Sequence, residues 1–211
     1  MMWKFISRTL APCTLALGAL MLALSAAPAR AADEPATFIQ GLGDQTIQIL
    51  QNKQMGQKER EAAFSKLFTQ GFDVDYIGRF VLGRYWNVAT PQQQQDYLKL
   101  FSTYVVAVYA NRFSQYSGEK FTVSTSQPNP EGASVQSQIV RPSGGPPINI
   151  TWKVQKENGS FKIVDVVAEN LSMTVTQRAE FSSVIERNGG GSAGIDALDT
   201  ILKQKIAANG G

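Results

Sequence analysis

A few short constellations hold the side chains of this 211-residue chain that could do chemistry. Asp73-Val74-Asp75 sets two carboxylates two residues apart, as a metal site or an acid pair would need. On a helix, however, residues two apart point away from each other, and no further acids lie near in sequence to complete a coordination shell. Capping of a helix N-terminus and favourable placement in its dipole account for both acids. Arg79, Arg84, Tyr85 and Trp86 gather around Gly83. Arginines there could grip a phosphate group through their fixed donors; the plainer reading is a helix C-terminus with basic residues at its negative end and Trp86 packed as core. Arg178 and Glu180 read as an exposed ion pair along a helix, or an arginine closing over a sheet. Asp165 would suit acid–base catalysis on an apolar substrate if it were buried, with a raised pKa and a tyrosine within hydrogen-bond reach.

Histidine is absent, and the one cysteine, Cys13, lies near the start. Without them there is no Ser-His-Asp triad, no Cys-His pair and no His or thiolate zinc site. What survives is carboxylate, Tyr, Lys or Ser chemistry, so no catalytic residue and no metal ligand is assigned. The larger chemical statement is the inventory of Tyr76, Phe80, Phe101, Tyr104, Trp152 and alternating Val and Ile. By composition alone these fill a core.

The N-terminus reads as an export leader. Lys4 and Arg8 precede an apolar run from Leu10 to Leu24, and Ala29-Arg30-Ala31 supplies the small-residue cleavage site. The run, about fifteen residues, is short of the roughly twenty that span a bilayer. Cleavage after Ala31 removes Lys4, Arg8, Arg30 and Cys13, leaving 17 basic residues against 17 acidic ones. The expected division is thus residues 1–31 as signal peptide and 32–211 as one domain without a disulfide. With no net positive charge and no basic cluster in the sequence, neither nucleic acid nor strong adsorption to an anionic membrane is expected.

The elements that must position these residues follow from pattern. Asp33-Glu34-Pro35 reads as a helix start, with Phe38, Leu42, Ile49 and Leu50 as its apolar stripe. A second helix covers Gln57 to Thr69, and Asp73 caps a third that ends at Gly83. Thr90-Pro91-Gln92-Gln93 combines an N-cap, a proline at the first helical position and a capping box. The helix it opens, to about Tyr116, is apolar around so much of its circumference that it must be buried on two sides. Past Gly118 the period becomes alternating, in Phe121, Val123 and Thr125, in Val135, Ser137 and Ile139, and in Ile148, Ile150, Trp152 and Val154. Asn158-Gly159 marks a hairpin, and Phe161 to Ala168, apolar on both faces, reads as a central strand. Two helices follow, from Ser172 to Asn188 and around Ile195, Leu198, Ile201 and Leu202. The expected fold is α+β, a curved four-stranded antiparallel sheet with about six helices on its concave face.

Two blocks resemble a known family. Phe72-Asp73-Val74-Asp75-Tyr76-Ile77-Gly78-Arg79-Phe80-Val81-Leu82-Gly83-Arg84-Tyr85-Trp86 with Ala89-Thr90-Pro91-Gln92-Gln93, and Leu171-Ser172-Met173 through Gln177-Arg178-Ala179-Glu180-Phe181 to Arg187-Asn188-Gly189-Gly190, are similar to the MlaC family of periplasmic toluene-tolerance or phospholipid-binding proteins. The chain also resembles that family's hopanoid-associated branch, HpnM, and Asn170, where a glycine is more usual, leaves the branch open. The resemblance implies a periplasmic carrier of phospholipid or hopanoid-type lipid, with acyl tails in an apolar pocket and no cofactor. It implies two partners, an outer-membrane lipoprotein complex and an inner-membrane ABC transporter carrying a substrate-binding ring. At ~0.8 kcal/mol per CH₂, two chains of about fifteen carbons represent roughly 24 kcal/mol if exposed to water. Crossing an aqueous gap therefore requires a sheltering wall. The expected lining is Val123, Ile139, Ile150, Trp152, Val154, Ile163 and Val167 from the sheet, Tyr76, Phe80, Phe101, Tyr104, Val105 and Val108 from the helices, and Met173 at the rim.

Overall fold

The computed structural model describes residues 29–113 and 115–210; residues 1–28, with Cys13 and most of the expected leader, lie outside them. In chain order the elements are α1 (Ala29–Gln51), α2 (Gln57–Gly71), α3 (Val74–Leu82), a 3-10 turn (Gly83–Asn87), α4 (Pro91–Phe113), β1 (Lys120–Asn129), β2 (Gly132–Val140), β3 (Ile148–Glu157), β4 (Ser160–Ala168), β5 (Leu171–Ser172), α5 (Met173–Arg187) and α6 (Gly191–Ala208). The expected α+β order of helices, strands, helices holds.

Local chemistry sets most boundaries. Asp73 Oδ1 accepts the Tyr76 N–H at 2.9 Å and so caps α3. The Thr90 N–H donates to Gln93 Oε1 at 3.1 Å while the Gln93 N–H donates to Thr90 Oγ1 at 3.2 Å, a reciprocal capping box that starts α4. Gly83 stops α3 with φ +60, which favours glycine, and its N–H still bonds the Arg79 carbonyl. One start differs from the sequence reading: α1 begins at Ala29 and carries Pro35 inside it.

The sheet is an antiparallel meander in the order β1-β2-β3-β4-β5. Its fifth strand corrects the expected four. Glu169 and Asn170, at φ 47 and φ 66, make a tight turn that folds Leu171 and Ser172 back onto Ala168 and Val167. Asn tolerates this left-handed geometry, which explains how the chain turns there without the more usual glycine. β4 is also less central than its two-sided apolarity suggested. Its far edge pairs only with two-residue β5 and, in a parallel bridge, Ile163 with Phe72. Helices α2, α3 and α5 pack against it and supply the cover that flanking strands would have given.

Two apolar cores result. One joins α3, α4, α5 and α6 around Tyr97, Phe101, Phe181, Ile185, Leu198 and Leu202. The other lies between α1 and the sheet, where Ile39 covers Val135, Val154 and Ile163. Phe72 packs against both.

Candidate functional site

The face of the sheet turned to the helices is fixed by cross-strand register. Val135 stands opposite Trp152, Ser137 opposite Ile150 and Ile139 opposite Ile148, so these six share one face. Phe121 and Val123, opposite Ile139 and Ser137, join them from β1. Register shifts between Val123 and Thr125 and between Lys153 and Val154 then change the phase of β1 and β4. Beyond the first, Ser126 takes the inner face and Thr125 leaves it. Beyond the second, Ile163 opposes Val154 and Val166 opposes Trp152.

The inner face has two ends of different character. Near the Asn129–Gly132 and Asn158-Gly159 turns it is sealed: Val135, Val154 and Ile163 are exposed by 0%, 2% and 1% beneath Ile39 of α1. Toward the loop between β2 and β3, Phe121, Val123, Ile139, Ile148, Ile150, Trp152, Val166 and Ala168 are all half-buried. Polar anchoring sharpens the boundary between the two ends. Trp152 donates its indole N–H to Ser137 Oγ at 2.8 Å, so a buried hydroxyl fixes the ring. Gln40 of α1 accepts the Val123 N–H at 3.2 Å, beside the β1 irregularity. Gly43 lets α1 approach, since a β-carbon there would stand 2.3 Å from the Phe121 ring.

The helical wall is more tightly filled. Tyr97 and Phe101 stack at 5.8 Å, and Phe181 meets both edge-on at 6.3 Å. The Tyr97 hydroxyl donates to the Gly78 carbonyl at 3.0 Å, and burial pushes its pKa well above the ordinary value. Along α4, Leu98 and Val105 stand seven residues apart on one stripe and remain half-buried. A separate hollow of about 330 Å³ lies between the C-terminal ends of α4 and α6, lined by Tyr104, Val108, Asn111, Arg112, Gln115, Lys205 and Asn209. It is small and largely polar, poorly matched to hydrocarbon.

The sequence-predicted residues are therefore divided. Val123, Ile139, Ile150 and Trp152 share the half-open inner face, and Val105 is half-buried on α4. Val154, Ile163 and Phe101 are sealed inside the cores. Tyr104 and Val108 line the α4–α6 hollow. Tyr76 is 44% exposed, and Phe80 lies under the Arg178 guanidinium. Met173 is half-buried at the start of α5. Val167 pairs with Thr151 and Ser172 on the opposite face of the sheet, because the β4 irregularity breaks the alternation that had grouped it with Ile163. Phe121, Ile148 and Val166 share the inner face and extend the expected lining; strand alternation puts the first two in phase, whereas the irregularity in β4 conceals Val166.

The charged candidates hold structure together. Asp165 accepts from Ser172 Oγ at 2.7 Å, from the Thr174 N–H at 3.1 Å and from Thr174 Oγ1 at 2.9 Å, tying β4 to the start of α5. It lies beside Lys153 in register, off the inner face. Arg84 pairs with Glu186, which also accepts from the Tyr85 hydroxyl at 3.1 Å, so this arginine clamps the 3-10 turn to α5. Among the described residues no group of three or more His, Cys, Asp or Glu is placed to hold a metal.

The family model for MlaC protein matches residues 40–204. The chain is 24% identical over 139 residues to the intermembrane phospholipid transport system binding protein MlaC of Haemophilus influenzae, an alignment covering 64% of this chain and 63% of that protein. It is 22% identical over 164 residues to toluene tolerance protein ttg2D of Pseudomonas putida, covering 75% of this chain and 76% of that one. Its fold is that of a phospholipid-binding protein from Ralstonia solanacearum solved in complex with a phospholipid, with a TM-score of 0.72, 18% identity, and 83% of this chain and 98% of the other covered. With both sequence blocks and the sheet-and-helix architecture inside the matched span, the chain belongs to the MlaC family.

Proposed function

We propose that this protein is a periplasmic lipid carrier that shelters the acyl tails of a phospholipid between the inner face of its sheet and the helices. One observation carries this reading: on the inner face of the sheet a set of large apolar side chains, Phe121, Ile139, Ile148, Ile150, Trp152 and Val166, stays half-buried beside the sealed Val135, Val154 and Ile163. Leaving such a surface open costs about 25 cal/mol per Å², a cost that an apolar ligand removes. Bilayer and apolar wall are both greasy, so transfer between them is nearly balanced, and loading and unloading need no covalent step. The names of the relatives support phospholipid as cargo and a transport system as context. In that context the carrier, exported by its leader, exchanges lipid with an outer-membrane lipoprotein complex and an inner-membrane ABC transporter bearing a substrate-binding ring.

An enzymatic reading has less support, because the carboxylate it would use, Asp165, is spent on anchoring Ser172 and Thr174. Glutamate substitutions test the carrier reading. Ile150→Glu and Val105→Glu place a charge where hydrocarbon should lie and are expected to reduce co-purified lipid at least ten-fold. Gln136→Glu, on the exposed outer face of β2, is expected to keep it. Lipid extraction with phosphorus assay reads the outcome, and circular dichroism confirms folding. Full lipid content in folded Ile150→Glu and Val105→Glu would refute this lining.

A further inference from the structure

The side-by-side packing of α3 and α5 builds a ridge that tail binding does not use. Arg178 of α5 lies over Phe80 of α3, its guanidinium carbon 5.1 Å from the ring centroid. It also lies against Gly83, where a β-carbon would stand 2.7 Å from Arg178 Nε. The Arg79 carbonyl accepts the Gly83 N–H, and the Arg79 guanidinium lies 5.1 Å over Trp86. The Arg178 guanidinium is thus steadied on Phe80 beside Gly83, and that of Arg79 on Trp86. Among the described residues the ion pairs are Arg84 with Glu186 and Lys156 with Glu34, so neither Arg79 nor Arg178 is neutralised. The acids of α3 and α5 are placed otherwise: Asp73 caps α3, Glu180 accepts from Gln177 at 3.1 Å, Glu186 holds Arg84, and Asp75 stands exposed in the first turn of α3. The packing of α3 on α5 thus gathers two arginines that lie far apart in sequence, which is why no basic cluster shows there, and their unused donors match an oxyanion, phosphate above all.

The same ridge exposes apolar side chains. Tyr76, one helical turn before Phe80, is 44% exposed, Val175 is 56% exposed and Leu171 is 63% exposed. Leu171 and Val175 project from the tight turn after β4 and the first turn of α5, at the half-open end of the inner face. On each helix the apolar residue stands one turn before an arginine, Tyr76 before Arg79 on α3 and Val175 before Arg178 on α5. Aromatic and aliphatic tips beside arginines suit the boundary between headgroups and acyl chains.

We propose that this ridge seats on a bilayer containing anionic phospholipid, with Arg79 and Arg178 on lipid phosphates and Tyr76, Leu171 and Val175 entering the headgroup boundary. The purpose of such docking rests on the carrier reading; its test does not. The mature chain is cosedimented with vesicles of phosphatidylglycerol and phosphatidylethanolamine, and with neutral phosphatidylcholine vesicles. Binding to the anionic vesicles is expected, with loss at high salt. Arg79→Gln and Arg178→Gln each weaken it about five-fold. Leu171→Ser with Val175→Ser weakens it at low and high salt alike, while Lys58→Gln with Lys66→Gln on α2 leaves the ridge effect intact. Circular dichroism shows that each variant folds. No binding to protein-free anionic vesicles, equal binding by the arginine variants, or capture only by vesicles carrying membrane proteins overturns the proposal, the last by assigning the ridge to a protein partner. The lipid load of the arginine variants, read by mass spectrometry, stays at the wild-type level. A wild-type chain that binds vesicles but carries no lipid leaves the ridge standing and removes the carrier reading.

Discussion

Asp199 of α6 shows how a single buried residue sets the solution behaviour of the helical core. It is 8% exposed, its Oδ1 has no hydrogen-bond partner, and burial first of all pushes its pKa up to about 6, with Asp196 and Asp96 adding to the rise and Lys203 opposing it. A carboxyl with a folded-state pKa above its unfolded value near 3.8 binds its proton more readily in the native state. Its charged form therefore destabilises the fold at neutral pH, and stability from this group rises as pH falls from about 6 toward 4. Asp199→Asn keeps the shape and removes the charge. Urea denaturation at pH 7.5 should show the variant more stable by on the order of 2 kcal/mol, a difference that shrinks at pH 4.5. A variant less stable than wild type at pH 7.5 would show that the carboxylate has a partner in solution.

At the scale of elements, the close approach of α5 and α6 depends on Gly194. A β-carbon there would stand 2.4 Å from the Ile185 backbone carbonyl oxygen, which cannot move without distorting α5. Gly194→Ala should therefore cost more than about 2 kcal/mol, even though alanine favours helix; an unchanged denaturation midpoint would mean that the two helices separate freely. Boundaries of this kind were the legible part of the sequence. Asp73, the Thr90-Pro91-Gln93 box and Asn158-Gly159 each act through neighbouring backbone, so local pattern reveals them. Irregularities in the strands were not legible, because an extra residue in a ladder is defined only by the partner strand. That is why Val167 was grouped with Ile163 and why Val166 escaped. Two-residue β5 was missed for a related reason: it is too short to show a period. Tyr76, Phe101, Val154 and Ile163 are all apolar in sequence, and only packing separates the exposed residue from the sealed ones.

The whole molecule is built from two unequal cores, a sealed helical one and a sheet sealed at one end, joined at Phe72. In the proposed carrier such a division lets the sheet face admit lipid without loosening the packing that gives the fold its stability. No helix among the described residues is long and apolar enough to cross a membrane, and the proposed carrier shelters its lipid between sheet and helices. Native mass spectrometry of the mature chain, purified without added lipid or detergent, tests that most directly. The account predicts a mass exceeding that of the polypeptide by one phospholipid, released on collisional activation and absent from Ile150→Glu. A bare polypeptide mass that stays bare after incubation with phospholipid vesicles would contradict it.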